Sequence, residues 1–203
     1  MARKPQQNRA KVMVETIVEA GFISLAKHGL EHTTTRHIAD IAGVSIGSIY
    51  EYFSNKEMIY TVMHEHFMTE VIVMLQASTP AFVQKNVREG VEFILYRFSD
   101  LLKKDNNRYL HYLRYMGHFD HAKHMTKVEQ VLMDIVMQYV IHNPQLIKIA
   151  PHIPRFSYII INAGIFSIMR YLTTPNPLIS FDELIMGLSD MVESYVNTLL
   201  SKA

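Results

Sequence analysis

The chain has 203 residues, of which 49% are hydrophobic and 19% are charged, and its formal net charge is +1. This length and composition suit one or two folded domains with a buried core, and they exclude a disordered or uniformly polybasic chain. The lack of cysteine excludes disulfide bonds and thiolate metal sites. No secretory signal is visible and the longest uncharged stretch, 156–169, is too short to span a bilayer, so a cytoplasmic protein is expected.

The first helix is predicted from Arg9 to Gly29, after a polar arm of residues 1–8. Apolar residues recur along it at helical spacing, and Phe22 and Leu25 are its expected core anchors. Residues 1–56 carry seven basic and five acidic side chains, a modest positive excess of the kind that attracts phosphate.

Two short helices joined by a tight turn are predicted next. Thr34 precedes a short run of apolar residues at three- and four-residue spacing and is expected to cap the first of them. Gly43 follows that run, where a helix ends most easily in a left-handed residue. Ser45 is expected to cap the second helix, which turns Ile49 and Phe53 inward. Such a pair is a helix-turn-helix, whose second helix enters the major groove of DNA.

The rest of the chain reads as helices without a convincing strand, and Ile159–Ile161 is too short a run to overturn that reading. A long helix is predicted from Ser54 or Asn55 to about Ser78, ended by Pro80. Further helices are expected over residues 82–102, 108–119, 122–141 and 156–172, and from a capping box at Ser180 onward. Polar connectors are expected at 103–107 and 173–177.

The segment 33–57, TTTRHIADIAGVSIGSIYEYFSNKE, resembles the DNA-binding signature of the TetR family of bacterial regulators. The resemblance covers about a quarter of the chain in sequence, and the remainder agrees in length and helical organisation. It implies an all-α fold of about nine helices: a three-helix helix-turn-helix head at 1–54 and a body at 55–203 for effector binding and dimerisation.

The resemblance also implies which residues contact DNA. Thr35, Tyr50, Tyr52 and Lys56 match positions that touch phosphates, and Ser45, Ile46 and Ser48 match positions that face bases. Gly47 allows the backbone close to the duplex. Because the second short helix has no Arg or Lys, Arg36 on the preceding helix is the expected basic reader of bases. Tyr52 can also be read as a packed aromatic with an exposed hydroxyl.

A homodimer is expected through the last two helices. Residues 156–172 are apolar almost all round, which exceeds what one monomer face requires, and the final helix adds a second stripe. With their symmetry mates these helices would form a four-helix bundle. The alternative is that 156–172 is a fully buried helix of the monomer.

A small, largely apolar effector is the third implied partner. Its candidate contacts are apolar, aromatic or polar side chains on helices of the body: Phe93, Arg97, Tyr112, Tyr115, Met116, Met133, Met137, Tyr158, Asn162 and Phe166. Each of these also has an ordinary reading as a core residue. Asn162 is the most specific hint, since a buried amide needs a partner.

Other chemistry is less well supported. His118, His121 and His124 have helical spacing that could ligate a metal, but solvated histidines at a helix junction are the favoured reading, and no metal or cofactor is predicted. No catalytic constellation stands out, so the protein is read as a non-enzyme. The sequence predicts a repressor released from a palindromic operator by a ligand. The alternatives are a DNA-binding structural or protein-partnered factor without an effector, and a helical carrier or enzyme that has lost DNA binding.

Overall fold

The computed structural model describes the backbone of residues 4–115 and 122–202 and the side chains of residues 8–115 and 125–202. Within those ranges the chain forms eight α-helices and one 3-10 helix and has no strand, so the all-helical prediction is confirmed. The α-helices are α1 (Lys4–His32), α2 (Thr35–Ala42), α3 (Ile46–Tyr50), α4 (Lys56–Phe82), α5 (Val87–Leu113), α6 (Ala122–His142), α7 (Ile153–Thr173) and α8 (Phe181–Ser201). The 3-10 helix is Pro144–His152.

The described residues fall into two compact units. The first unit takes them from 1–68 and 103–120, and the second takes them from 69–102 and 121–203. Helices α4 and α5 therefore each contribute to both units. The predicted boundary between residues 54 and 55 separates a DNA-binding domain from a domain for effector binding and dimerisation. It is not a boundary between compact units, and it stays a prediction.

The first unit is held together by a cluster of aromatic rings from α1, α4 and α5. The rings of Tyr109 and Tyr112 meet Phe22 edge-on, with centroids 5.2 and 5.5 Å away. Phe67 lies 5.1 and 5.5 Å from the same two tyrosines. All four side chains are buried, which confirms Phe22 as a core anchor; Leu25 is buried as well. Edge-to-face pairs add to the free energy of burial, so this cluster fixes α1 against α4.

Two polar contacts join the same helices. The Tyr112 hydroxyl and His64 Nδ1 form a buried hydrogen bond of 2.6 Å, and burial raises the pKa of that hydroxyl. Arg108 pairs with Glu19 on α1, and its guanidinium lies over the Tyr109 ring at 4.7 Å. These contacts give α5 a fixed position against α1.

The second unit buries an apolar core shared by α4, α6, α7, α8 and the 3-10 helix. Its members are aliphatic or aromatic: Val83, Tyr139, Val140, Leu146, Ile149, Ile153, Phe156, Val192 and Val196. The predicted capping box of α8 is confirmed, because Ser180 Oγ accepts from Glu183 N and the Glu183 carboxylate accepts from Ser180 N. The hydrogen bonds from Ser180 lower the pKa of Glu183.

Several predicted helix ends were wrong. The first helix begins at Lys4 and not Arg9. Pro5 is compatible with the first turn, because an N–H at that position has no partner within the helix. Helix α4 continues through Pro80 to Phe82. Pro80 has no N–H to donate to the carbonyl of Gln76, four residues earlier. Gln76 is exposed, so water can replace this one hydrogen bond. Phe82 consequently ends α4 instead of starting α5, which begins at Val87.

Two connectors also differ from expectation in detail. The predicted connector at 103–107 is confirmed as a break inside α5, where Asp105, Asn106 and Asn107 have φ of 47°, 59° and 60°. Asp and Asn tolerate this left-handed conformation better than other residues with a side chain. The helix after it ends at Leu113, short of the predicted 119. The 3-10 helix Pro144–His152 was not predicted, and it moves the start of α7 from 156 to Ile153.

Candidate nucleic-acid interface

Helix α2 forms because its first turn is capped and one of its faces is apolar. The Thr34 hydroxyl accepts a hydrogen bond of 3.2 Å from the His37 N–H, as predicted for the cap. Ile38 and Ala39 are buried. The helix ends at Gly43, which has φ of 69° and ψ of 30°, and the following Val44 N–H bonds back to the Ala39 carbonyl at 3.1 Å. The turn of the helix-turn-helix is thus closed by backbone hydrogen bonds.

Substitution of Gly43 tests this turn. A Cβ built at Gly43 meets no atom within 4 Å, so any penalty comes from the left-handed backbone alone. Gly43→Val is expected to lower the free energy of unfolding by about 1–2 kcal/mol, whereas Gly43→Asn should cost less because Asn adopts this conformation more readily. Chemical denaturation of the three proteins measures the difference. Equal midpoints for Val and Gly would contradict a left-handed turn.

Helix α3 is short, capped and largely exposed. Ser45 Oγ accepts from the Ser48 N–H at 2.9 Å and lies 2.8 Å from Ser48 Oγ, which confirms Ser45 as the cap. Ile49 is buried and anchors the helix, together with the buried Phe53 that follows it. The outward surface includes Ile46, which is 37% exposed, and Tyr50, which is 54% exposed. This surface is apolar and hydroxylic and has no cation.

The other predicted DNA contacts belong to α2, to α3 and to the residues from Tyr52 to the start of α4. Gly47 and Arg36 are exposed, and Thr35 and Tyr52 are half-buried. Lys56, in the first turn of α4, is also half-buried, and its Nζ donates to the Thr33 carbonyl at 2.9 Å. Sequence reasoning did not foresee that bond, because the two residues are 23 positions apart and no local pattern links them.

His37 is held within the head. Its ring stacks on that of His28 from α1, with centroids 4.2 Å apart and planes inclined by 24°. The His37 Nδ1 atom is buried. The contact packs α2 against the end of α1, so we assign His37 a structural role.

The candidate effector residues are not all brought together. Tyr112 and Tyr115 belong to the first unit, and Tyr112 is buried in its aromatic core. Met116 lies outside the described residues, as do His118, His121 and the side chain of His124. Phe93, Arg97, Met133 and Met137 lie in the second unit on α5 and α6, where Arg97 and Met137 are exposed.

Three further candidates lie together on one outward face of α7. Tyr158 and Phe166 are 67% and 71% exposed, and Asn162 stands between them at four-residue spacing. The expectation that Asn162 is a buried amide in need of a partner was wrong. Its Nδ2 donates to the Tyr158 carbonyl at 2.9 Å in the preceding turn. Tyr158 and Phe166 therefore lie on the surface of the monomer, and Asn162 is half-buried between them.

A cleft in the second unit lies where the ends of α4 and α6 meet. Its volume is about 380 Å³, and it is lined by Gln76, Thr79, Pro80, Val83, Gln138, Ile141 and His142. None of the predicted effector residues is among them. Within the described ranges no group of three or more His, Asp or Glu side chains has an arrangement suited to a metal ion.

One described segment, Pro144–Thr173, is long and apolar enough to cross a membrane by length and composition alone. Its most apolar window has a mean hydropathy of 1.2 and is only 17% buried. This segment is longer than the uncharged stretch 156–169, because the 3-10 helix leads directly into α7 and the segment includes Lys148, Arg155 and Arg170. A single such segment is weak evidence for a membrane span, since helices of soluble proteins meet the same criterion.

The head thus has the geometry of a helix-turn-helix regulator: a capped α2, a left-handed glycine turn, and an α3 that presents its polar and aromatic side outward. Residues 17–62 match the family described as bacterial regulatory proteins, tetR family. The head of the chain therefore contains the DNA-binding domain of the TetR family, as its signature implied.

Comparison with individual proteins agrees with this assignment. The chain is 29% identical over 92 residues to the "Probable acrEF/envCD operon repressor" of Escherichia coli (strain K12); the match covers 45% of this chain and only 37% of that protein. A TetR-family transcriptional regulator from Streptomyces coelicolor has the same fold, with a TM-score of 0.61 and 15% identity over 92% of this chain and 99% of that one. The fatty acid degradation regulator FadR from Bacillus halodurans has a TM-score of 0.58 and 16% identity, over 92% and 97% of the two chains.

Proposed function

We propose that the protein is a dimeric, sequence-specific DNA-binding repressor of the cytoplasm, released from a palindromic operator by a small, largely apolar ligand. The observation that carries the proposal is the exposed outer surface of α3 on a head whose inner surface is firmly packed. A short helix so anchored can enter the major groove without losing its shape.

The composition of the α3 surface limits how it reads DNA. Ile46 is suited to apolar contact with the methyl group of thymine, and the hydroxyls of Ser45 and Ser48 can each still bond to a base edge. Arg36 is an exposed cation in the first turn of α2 and is suited to guanine. Tyr50 and Lys56 are assigned to phosphates.

Dimerisation is supported by apolar side chains that the monomer leaves in water. On α7 these are Tyr158, Ile159 and Phe166, and on α8 they are Met186, Met191 and Tyr195. A surface of this kind on a soluble protein marks an interaction site. Pairing of α7 and α8 with their symmetry mates would cover it and would place two heads on one DNA molecule.

Two observations support release by a ligand: the similarity to known regulators, and the fact that α4 belongs to both units. The similar Escherichia coli protein is named as a repressor and the Bacillus halodurans protein as a regulator of fatty acid degradation. Helix α4 begins in the head and continues into the second unit. A ligand that prefers one orientation of α4 would change the spacing of the two heads. Phe93, Arg97, Met133 and Met137 remain the candidate contacts in that unit.

The DNA-reading role is tested with two variants of α3. Tyr50→Ala should weaken binding to all duplexes by a similar factor, because it removes a phosphate contact. Ile46→Ala should mainly reduce the preference for one base pair, with a loss of about 1–3 kcal/mol on the preferred duplex. Met58→Ala, an exposed change on α4, is the control. Fluorescence anisotropy with selected and scrambled duplexes measures all three, and parental behaviour of both α3 variants would contradict the proposed docking.

The main alternative is a DNA-binding factor without a small-molecule trigger. Titration of the protein–DNA complex with a panel of apolar metabolites and drugs separates the two. Release by one compound supports the repressor with an effector, while a complex that persists with the whole panel favours the alternative.

A further inference from the structure

A buried polar junction lies where the start of α4 meets the turn between α1 and α2. Thr33 is fully buried, and its hydroxyl donates to the Gly29 carbonyl at 2.7 Å. Ser24 Oγ, also fully buried, lies 3.5 Å from that hydroxyl. The Thr33 carbonyl accepts from Lys56 Nζ at 2.9 Å. Since Thr33 is held on several sides, its carbonyl is a fixed acceptor for the lysine.

The aromatic ring of Tyr60 provides the second restraint on Lys56. It follows Lys56 by one helical turn, and the ammonium lies 5.6 Å from the centre of the ring. Burial raises the pKa of the Tyr60 hydroxyl to about 12, although contact with the Thr33 hydroxyl lowers it and the Glu57 carboxylate raises it again. The phenol is therefore neutral near neutral pH. The face of its ring carries the negative part of the ring quadrupole and attracts the ammonium.

Lys56 is thus ordered before any DNA arrives. An ammonium has three N–H donors, and the Thr33 carbonyl takes one of them. The residue is only half-buried, which leaves room for a further acceptor to approach its remaining donors. A lysine that must be ordered on binding loses rotamer entropy, and a lysine that is already held does not.

We propose that Thr33 and Tyr60 are positioning residues for DNA binding: they hold Lys56 so that its remaining donors meet one phosphate of the duplex. This inference rests on the proposed function, because it requires that the head binds DNA. Neither residue contacts the duplex itself, since both are buried. Their contribution to affinity passes entirely through Lys56.

A double-mutant cycle tests the inference on the full chain, with a duplex selected by the parent protein. Lys56→Gln is expected to weaken binding and to lower the slope of log affinity against log salt by about 0.9 for each head. Tyr60→Leu should weaken binding by about two- to tenfold for each head, and the salt slope should be unchanged because the charge remains. In the Lys56→Gln background, Tyr60→Leu should have no further effect.

Two controls separate positioning from folding. Tyr60→Phe retains the ring that faces Lys56 and is expected to bind close to the parent. Tyr60→Met is a second variant without the aromatic ring, in case Tyr60→Leu does not fold, and thermal midpoints are recorded for every protein.

The outcomes are distinct. If Tyr60→Leu or Tyr60→Met weakens binding by the same factor in the parent and in the Lys56→Gln background, its role is structural and the inference is overturned. If Lys56→Gln keeps the parental salt slope while the parent still binds specifically, Lys56 contacts no phosphate and only links α4 to Thr33. The inference is then overturned and the proposed function stands. If the parent binds no duplex specifically, both fall together.

Discussion

Replacement of Phe166 by glutamate is expected to convert the protein into a monomer that no longer binds a palindromic duplex. Phe166 is 71% exposed on α7 and is the most exposed side chain of the surface proposed for dimerisation. Burial of such a side chain contributes about 1.5–3 kcal/mol, and symmetry places two copies in the interface. Their loss alone should raise the dimer dissociation constant by about 10²- to 10⁴-fold. Two buried carboxylates would weaken the dimer further.

The effect on DNA follows from the loss of the second head. A single helix-turn-helix contacts only a few base pairs, so a monomer keeps only weak binding to a half-site. Analytical ultracentrifugation and anisotropy measure the two consequences on the same samples. Ile141→Glu is the matched control, because Ile141 is 70% exposed but lies on α6. If Phe166→Glu remains a dimer while both variants are folded, this face of α7 is not the interface.

Replacement of Phe22 by alanine is expected to cause the largest loss of stability in the head. Phe22 is fully buried between the rings of Tyr109 and Tyr112, and the Arg108 guanidinium lies 5.8 Å from its centre. Truncation of a buried Phe costs about 3–5 kcal/mol, because the cavity that it leaves is only partly refilled. Against a total stability of about 5–15 kcal/mol, this change should leave the first unit marginal.

The measurement must resolve the two units, since unfolding of such a chain need not be two-state. Hydrogen exchange should show the loss of protection in α1, α2 and the first turns of α4, while α6–α8 change less. Calorimetry should show the transition of the affected unit lowered by about 12–40 °C. Phe22→Leu, which keeps much of the apolar volume, should cost less. A loss below about 1 kcal/mol for Phe22→Ala would show that the ring cluster does not support the head.

The local features of the head were predictable because each depends on a few neighbouring residues. Thr34, Ser45 and Ser180 each cap a helix through an N–H three positions away, and Gly43 provides the left-handed turn. These interactions join residues that are close together in the sequence, so a local sequence pattern predicts them. The same local reasoning failed at Pro80, where the helix continues to Phe82. The proline removes one backbone hydrogen bond, and the carbonyl that loses it is exposed to water.

The long-range features were not predictable. No local signal pairs Lys56 with Thr33 or Arg108 with Glu19, which are 23 and 89 positions apart. The faces of α7 were also ambiguous, since a helix that is apolar all round does not disclose which side turns to the core. Tyr158 and Phe166 were therefore expected at a ligand, although both lie on the outer surface. The effector contacts stay a prediction, because a packed aromatic and a pocket aromatic look alike in a sequence.

The proposed reading of DNA by two copies of α3, presented by one symmetric dimer, can be tested by selecting bound fragments from a random duplex pool and measuring the mass of the resulting complex. We expect a palindromic sequence bound by two chains, with half-sites whose spacing is set by the dimer axis. A unique, non-palindromic sequence bound by a single chain would contradict it.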